Sequence, residues 1–222
     1  MTGSDLLTLA SSSPRRRELL EQLGLSFEVA EPAPDDDPAD HRPAAEFARD
    51  LAARKAASVA DAPAYAHRWV LGADTVVFDD AEILLKPADR RDARRMLTRL
   101  AGRTHRVVTA LALFAPAAGP RGAAAGAAPG TAADAPGAAA DAPAREPLIA
   151  ADVTAVTFAP LGEREIEWYL DTGEWRGVAG AYRIQGRGAV LIEGIEGSYS
   201  GVMGLPIRLL YSMLRDTGFR FP

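Results

Sequence analysis

Apolar positions along this chain switch between two periods. Residues 6–10 (Leu-Leu-Thr-Leu-Ala) form a short apolar run suited to a buried strand, and residues 14–23 then place Leu19, Leu20 and Leu23 on one face of a helix with Gly24 as its C-cap. A second strand is expected near residues 27–30. An acidic, proline-rich loop follows at 31–43, then a helix over 44–60 that carries Phe47, Leu51, Arg54 and Lys55, with Lys55 toward its end. Residues 69–71 and 75–78 read as two strand pieces flanking Gly72-Ala73-Asp74. Ala93, Met96, Leu97 and Leu100 recur at helical spacing and mark a helix over 89–100, stopped near Gly102. Long strands are expected at 106–114 and 152–158. A helix over 163–171, a loop at 172–182, a strand at 189–192, a glycine-rich turn at 194–201 and a final helix over 206–217 complete the pattern. Strands alternate with helices, so the expected fold is α/β, with one mixed, twisted β-sheet flanked by helices and two lobes around a cleft.

Residues 115–147 break this pattern. They are almost entirely Ala, Gly and Pro and show no apolar periodicity, so they cannot bury a core and are expected to be a flexible loop inserted between two strands. Outside that insertion, residues 1–222 are expected to form a single domain.

Composition narrows the function classes. The 222 residues are 48% apolar and 25% charged, enough for one substantial core or two lobes sharing a cleft. Cysteine is absent, which removes disulfides, thiolate nucleophiles and cysteine zinc sites and suits a reducing compartment. The first five residues lack a basic stretch and no apolar run approaches the roughly 18 residues of a membrane span, so the expectation is a cytoplasmic protein without a membrane partner. A net charge of −5 argues against a nucleic-acid partner, which would call for a basic face. A small anion in a locally basic pocket remains compatible with it.

The strongest local chemistry is Ser11-Ser12-Ser13-Pro14-Arg15-Arg16-Arg17, where a strand turns into a helix. Ser13 is placed to cap, and Pro14 suits the first turn because its missing N–H would be unpaired there. Three arginines at the positive end of a helix dipole repel it unless an anion offsets them, although a solvated first turn is the competing reading. Asp74, in Gly72-Ala73-Asp74-Thr75, is a carboxylate among small neighbours, suited to act as a general base, to hold Mg²⁺ or simply to make a turn. Lys55 and Lys86 are further candidate anion contacts. His105 is one of three histidines, and His41 and His67 lie in polar loops, which argues against a histidine-only metal site. Gln185 follows a glycine-rich stretch, and its carboxamide complements the donor and acceptors of a uracil or thymine edge. No nucleophile elbow, Walker loop or dinucleotide fingerprint occurs.

Taken in order, Ser11-Ser12-Ser13-Pro14-Arg15-Arg16, Gly72-Ala73-Asp74-Thr75, Lys86-Pro87, Gly102-Arg103-Thr104-His105 with Thr109, Glu165 with Tyr169, Ala179-Gly180-Ala181-Tyr182-Arg183-Ile184-Gln185-Gly186 and residues 197–206 (Gly-Ser-Tyr-Ser-Gly-Val-Met-Gly-Leu-Pro) resemble the Maf family of nucleoside triphosphate pyrophosphatases. The resemblance covers nearly the whole chain outside the insertion. It implies a Maf/ITPase-like fold and a hydrolase that cleaves a nucleoside triphosphate between the α- and β-phosphates with a divalent cation, Mg²⁺, Mn²⁺ or Co²⁺. By the same resemblance Asp74 is the proton acceptor and a metal ligand, Ser13, Arg15, Arg16, Lys55 and Lys86 hold the triphosphate, and Arg15, Thr75 and Gln185 choose the base.

Gln185 points to the branch acting on dTTP and UTP, whereas the 7-methyl-GTP branch carries an acidic residue in that segment. The family's usual glutamate after the second strand is replaced here by Asp35, Asp36 and Asp37, of which Asp36 is the candidate metal ligand. The insertion is not a family feature. A homodimer is a family expectation, and a non-catalytic nucleotide-binding regulator of septum formation is the alternative from another class.

Overall fold

A computed structural model describes residues 5–34, 42–117 and 145–222. Asp35, Asp36 and Asp37, and residues 118–144 of the Ala/Pro/Gly-rich segment, lie outside the described residues.

The chain runs β1 (Leu7–Ala10), α1 (Pro14–Gln22), β2 (Phe27–Ala30), α2 (Ala44–Ala60), β3 (Trp69–Phe78), β4 (Ile83–Leu84) and α3 (Arg90–Leu100), then β5 (Thr104–Phe114), β6 (Leu148–Phe158), α4 (Glu163–Thr172), β7 (Ile192–Glu196), α5 (Tyr199–Met203) and α6 (Ile207–Asp216). The strands form one mixed sheet in the order β2-β1-β3-β5-β6-β7, with β4 paired to β3. β1 is parallel to both β2 and β3, and the strands from β3 onward pair antiparallel. The α/β expectation is met.

Strand alternation explains how the helices are distributed. Leu7, Leu9, Leu71 and Ala73 turn toward Leu19 and Leu20 of α1 and Leu210 and Leu214 of α6. Ala10, Val70 and Val76 turn the other way, onto Phe47, Ala52 and Ala56 of α2. Chain therefore leaves β1 across one face through α1 and returns to β3 across the other through α2, and a crevice opens beyond the carboxyl end of β1, between oppositely directed connections. A third cluster joins Val77, Leu84, Leu97, Phe158, Tyr169 and Tyr182 beneath α3 and α4 and walls the cleft from its second side.

Several local expectations change. Residues 69–71 and 75–78 are one continuous strand, because Gly72, Ala73 and Asp74 pair with Ala112, Leu111 and Ala110 without interruption. Gly72 serves packing here, since a Cβ on it would stand 2.4 Å from the Ala52 carbonyl oxygen and 2.6 Å from the Ala56 nitrogen. α2 keeps its expected bounds, Ala44–Ala60, with Lys55 inside it. Leu23 is the cap of α1, and Gly24 takes its positive φ one residue later.

Residues 189–192 are mostly not a strand. Gly186–Leu191 forms a 3₁₀ segment because Glu174 accepts the Arg187 and Gly188 N–H groups, and β7 begins only at Ile192. The expected turn at 194–201 instead ends β7 and starts α5, whose cap Ser198 accepts from the Gly201 N–H at 3.0 Å. β6 begins at Leu148, four residues before the expected 152, extending the β5 ladder to the Leu113–Leu148 pair. Arg145, within the segment read as featureless, donates to the carbonyls of Ala60, Tyr65, Arg68 and Ala115. No helix among the described residues is long and apolar enough to cross a membrane.

Candidate active site

The last β1–β3 pair is Ala10 with Gly72. Past it β1 leaves the sheet for Ser11-Ser12-Ser13 and α1, so Asp74 and Thr75 continue on β3 with no β1 neighbour. There the crevice opens into a cleft of about 920 Å³, of a size that takes a nucleotide. Ser13, Arg15, Arg16, Lys55, Asp74, Thr75, Lys86 and Gln185 all line it.

Asp74 shares the face of β3 that carries Gly72. The close approach at Gly72 presses α2 onto the strand, and Lys55, one residue before Ala56, thereby reaches Asp74: its Nζ donates to Oδ1 at 2.5 Å. The carboxylate is 8% exposed, so it sits at the bottom of the cleft rather than in open solvent.

Thr75, one residue on, faces the opposite side and joins a second network. Arg16, also 8% exposed, donates from Nε to the Gly204 carbonyl at 2.8 Å, from Nη1 to Ser11 Oγ at 2.9 Å and from Nη2 to Thr75 Oγ1 at 3.2 Å. Thr109 gives its only hydroxyl proton to the Gly201 carbonyl at 2.7 Å, so in the 3.0 Å Thr75–Thr109 contact Thr75 must be the donor. Its single donor is therefore spent inside the protein, and Thr75 can offer a ligand only an acceptor. Arg16 likewise ties the start of α1 to the α5–α6 turn and to β3. Ser13 makes no side-chain cap; its N–H instead donates to Ser11 Oγ at 3.2 Å, and its hydroxyl lies on the cleft wall.

The opposite wall is drawn from residues 176–185. Its backbone is fixed from several sides: Tyr169 Oη accepts from the Arg183 N–H at 3.1 Å, Tyr182 Oη pairs with His105 Nε2 at 2.8 Å, and Glu174 holds Arg187 and Gly188. Ala181 adopts φ of 60°, a left-handed conformation that costs a non-glycine residue energy and needs such support. Burial pushes Tyr169 up to about 12 and holds His105 down at about 4, so both stay neutral near pH 7. Gln185, half-buried in the cleft, has no side-chain hydrogen bond among the described residues.

Three lining residues escaped the sequence reading. Arg183 lies within the Ala179–Gly186 motif, Arg176 stacks its guanidinium 4.8 Å from the Trp175 ring centroid, and Glu31 opens the acidic loop. A cationic residue two positions before Gln185 in the glycine-rich motif was the available signal for Arg183. Six cationic residues, Arg15, Arg16, Lys55, Lys86, Arg176 and Arg183, line the cleft against three acidic ones, Glu18, Glu31 and Asp74, which makes it locally basic in a chain of net charge −5. Burial, and then the nearby Arg183, hold the Arg15 guanidinium below its ordinary range. Among the described residues no three His, Cys, Asp or Glu side chains gather into a metal-binding group.

Comparison with known proteins fits this arrangement. The chain is 44% identical over 213 residues to a protein of Symbiobacterium thermophilum named dTTP/UTP pyrophosphatase, covering 96% of this chain and 94% of the relative. It is 41% identical to proteins of the same name from Pelotomaculum thermopropionicum, covering 96% and 97%, and Myxococcus xanthus, covering 98% and 95%. Residues 6–217 match the family described as Maf-like protein, and the chain belongs to that family.

Proposed function

We propose that this protein hydrolyses dTTP and UTP to the nucleoside monophosphate and pyrophosphate. The observation that carries the reading is the placement of Asp74 and the unengaged carboxamide of Gln185 in one basic cleft. A carboxamide can donate to a pyrimidine carbonyl and accept from its N3–H at once.

In this reading Arg15 and Lys86 hold the triphosphate, with the Ser13 hydroxyl beside them and Arg16 fixing the start of α1 from which Arg15 projects. Asp74 takes a proton from a water as its oxygen attacks the α-phosphorus, and the bond to the α–β bridging oxygen breaks to release pyrophosphate. Lys55 orients the Asp74 carboxylate and adds positive charge where the α-phosphoryl oxygens gain negative charge.

The cleft's carboxylates, Glu18, Glu31 and Asp74, are hard oxygen donors without a histidine or cysteine beside them. That donor set fits Mg²⁺, Mn²⁺ or a similar divalent cation held by Asp74 and the substrate phosphates, with Asp36 the candidate further ligand among the three aspartates that stand where the family usually carries a glutamate. When bound, such a cation offsets charge on the phosphates.

The test is pyrophosphate release from UTP, dTTP and 7-methyl-GTP under Mg²⁺, Mn²⁺ and Co²⁺. Turnover of the two pyrimidine nucleotides well above the third is expected. Preference for 7-methyl-GTP would reverse the base assignment, and no release from any of them would reduce the protein to a nucleotide binder.

A further inference from the structure

Arg183 stands out among the arginines of this chain. On α3, Arg90, Arg94, Arg95 and Arg99 each have carboxylate partners, as does Arg220 through Asp5. Among the described residues Arg183 has none, and its buried Nε has no hydrogen-bond partner there either. Glu174, on the same stretch of chain, spends both carboxylate oxygens on the backbone N–H groups of Arg187 and Gly188.

Its backbone, in contrast, is held tightly. The N–H is fixed by Tyr169 Oη, the residue before it by His105, and its carbonyl lies so close to Gly188 that a Cβ there would come within 2.0 Å of it. Such a frame presents the side chain to the cleft at little entropic cost on binding. Arg15, from the start of α1, lines the same cleft, has no acidic partner among the described residues either, and is close enough that the two guanidinium groups repel. Two cations brought together in a half-buried cleft cost stability unless an anion sits between them.

We infer that Arg183 and Arg15 form a two-sided clamp on the β- and γ-phosphates of the substrate, so that Arg183 is a substrate-binding residue on the wall that also carries Gln185. The inference rests on reading the cleft as a nucleoside triphosphate site. Planar guanidinium forks suit bidentate contacts to phosphate oxygens from opposite sides. The same wall then sets both ends of the ligand, Gln185 at the base and Arg183 at the polyphosphate, and the spacing between them fixes which phosphorus lies over Asp74.

Inorganic tripolyphosphate in the presence of EDTA tests the clamp without needing turnover, the base or a metal. Wild-type protein should be stabilised against heating by tripolyphosphate, and Arg183→Ala, with a ligand-free melting temperature no lower than that of the wild type, should lose most of that shift while Arg183→Lys retains part of it. In UTP hydrolysis Arg183→Ala should raise KM and the inhibition constant of product pyrophosphate at least 10-fold and leave inhibition by UMP unchanged. Wild-type protein that turns over UTP while Arg183→Ala keeps its KM and its tripolyphosphate shift would overturn the clamp and leave the function standing. Weakened UMP inhibition with pyrophosphate inhibition intact would place Arg183 at the nucleoside end and overturn it as well. Tripolyphosphate binding that depends on Arg183 in a protein with no triphosphatase activity would keep the clamp and remove the enzyme.

Discussion

Gly72 lies directly against the carbonyl of Ala52, so closely that no side chain fits between β3 and α2. That contact sets the distance from Lys55 to Asp74, because both residues sit within a few positions of it on the two packed elements. Gly72→Ala should therefore act on stability and chemistry together. The added methyl meets backbone atoms on a rigid helix rather than a flexible side chain, and overpacking of this kind costs about 1–3 kcal/mol or more. Urea denaturation should show that loss, and UTP turnover should fall at least 10-fold in the fraction that remains folded. Wild-type stability with wild-type turnover would mean that α2 can move away without disturbing Asp74.

Asp74→Asn tests the base. Asparagine keeps the size of the side chain and can still face Lys55, but it cannot take a proton from water. Turnover should drop by about 10²–10⁴-fold, the usual contribution of a general base, while tripolyphosphate still raises the melting temperature. Full activity in the variant would remove Asp74 from that role.

Sequence patterns made the α/β order legible because helix and strand periods are strong where a face is buried, as at Leu19 and Leu20 or Met96 and Leu97. The site was legible as a set of motifs, yet the roles inside it were not. Arg16 and Arg15 are neighbours in the same local pattern and both line the cleft, but Arg16 is bound up with Gly204, Ser11 and Thr75, whereas Arg15 has no side-chain hydrogen bond among the described residues. Only contacts with partners as distant as residue 204 decide that difference. Gly72 looked like a strand break because glycine usually weakens a strand, and its real neighbour, Ala52, lies on another element. The 3₁₀ turn after Gln185 depends on Glu174, again a partner that local propensity cannot supply. Arg145 hid in a low-complexity segment whose composition drowned out a single charged residue.

Gln185→Glu addresses the base. The side chain has no hydrogen bond to the described residues, so the exchange should leave the melting temperature within about 1–2 °C, as surface-like substitutions do. A carboxylate cannot donate to a pyrimidine carbonyl and places like charge against the oxygen, so kcat/KM for UTP and dTTP should fall about 10²-fold or more. Steady-state kinetics on both nucleotides decide it. Unchanged values would assign base recognition to some other part of the cleft.

His105 gives the fold an acid sensitivity of predictable sign. It is buried against Phe158 and Tyr182, and burial holds it down at about 4, below its ordinary 6.5. As pH falls below 6.5 the unfolded chain binds a proton that the folded chain refuses until about 4, so folding stability is full above 6.5 and is lost through that window. The loss is about 1.4 kcal/mol per pH unit for this one group, or on the order of 2 kcal/mol between pH 6.5 and 5. Asp79, held down to about 2 mainly by its hydrogen bonds with Arg99, contributes stability that is lost only at lower pH, between its ordinary 3.8 and that value. The two effects therefore separate along the pH axis. Urea midpoints at pH 7 and pH 5 should diverge strongly in the wild type and much less in His105→Gln, which keeps a polar partner for Tyr182 but has no proton to gain. Equal losses in both proteins would show that His105 is not the group being titrated.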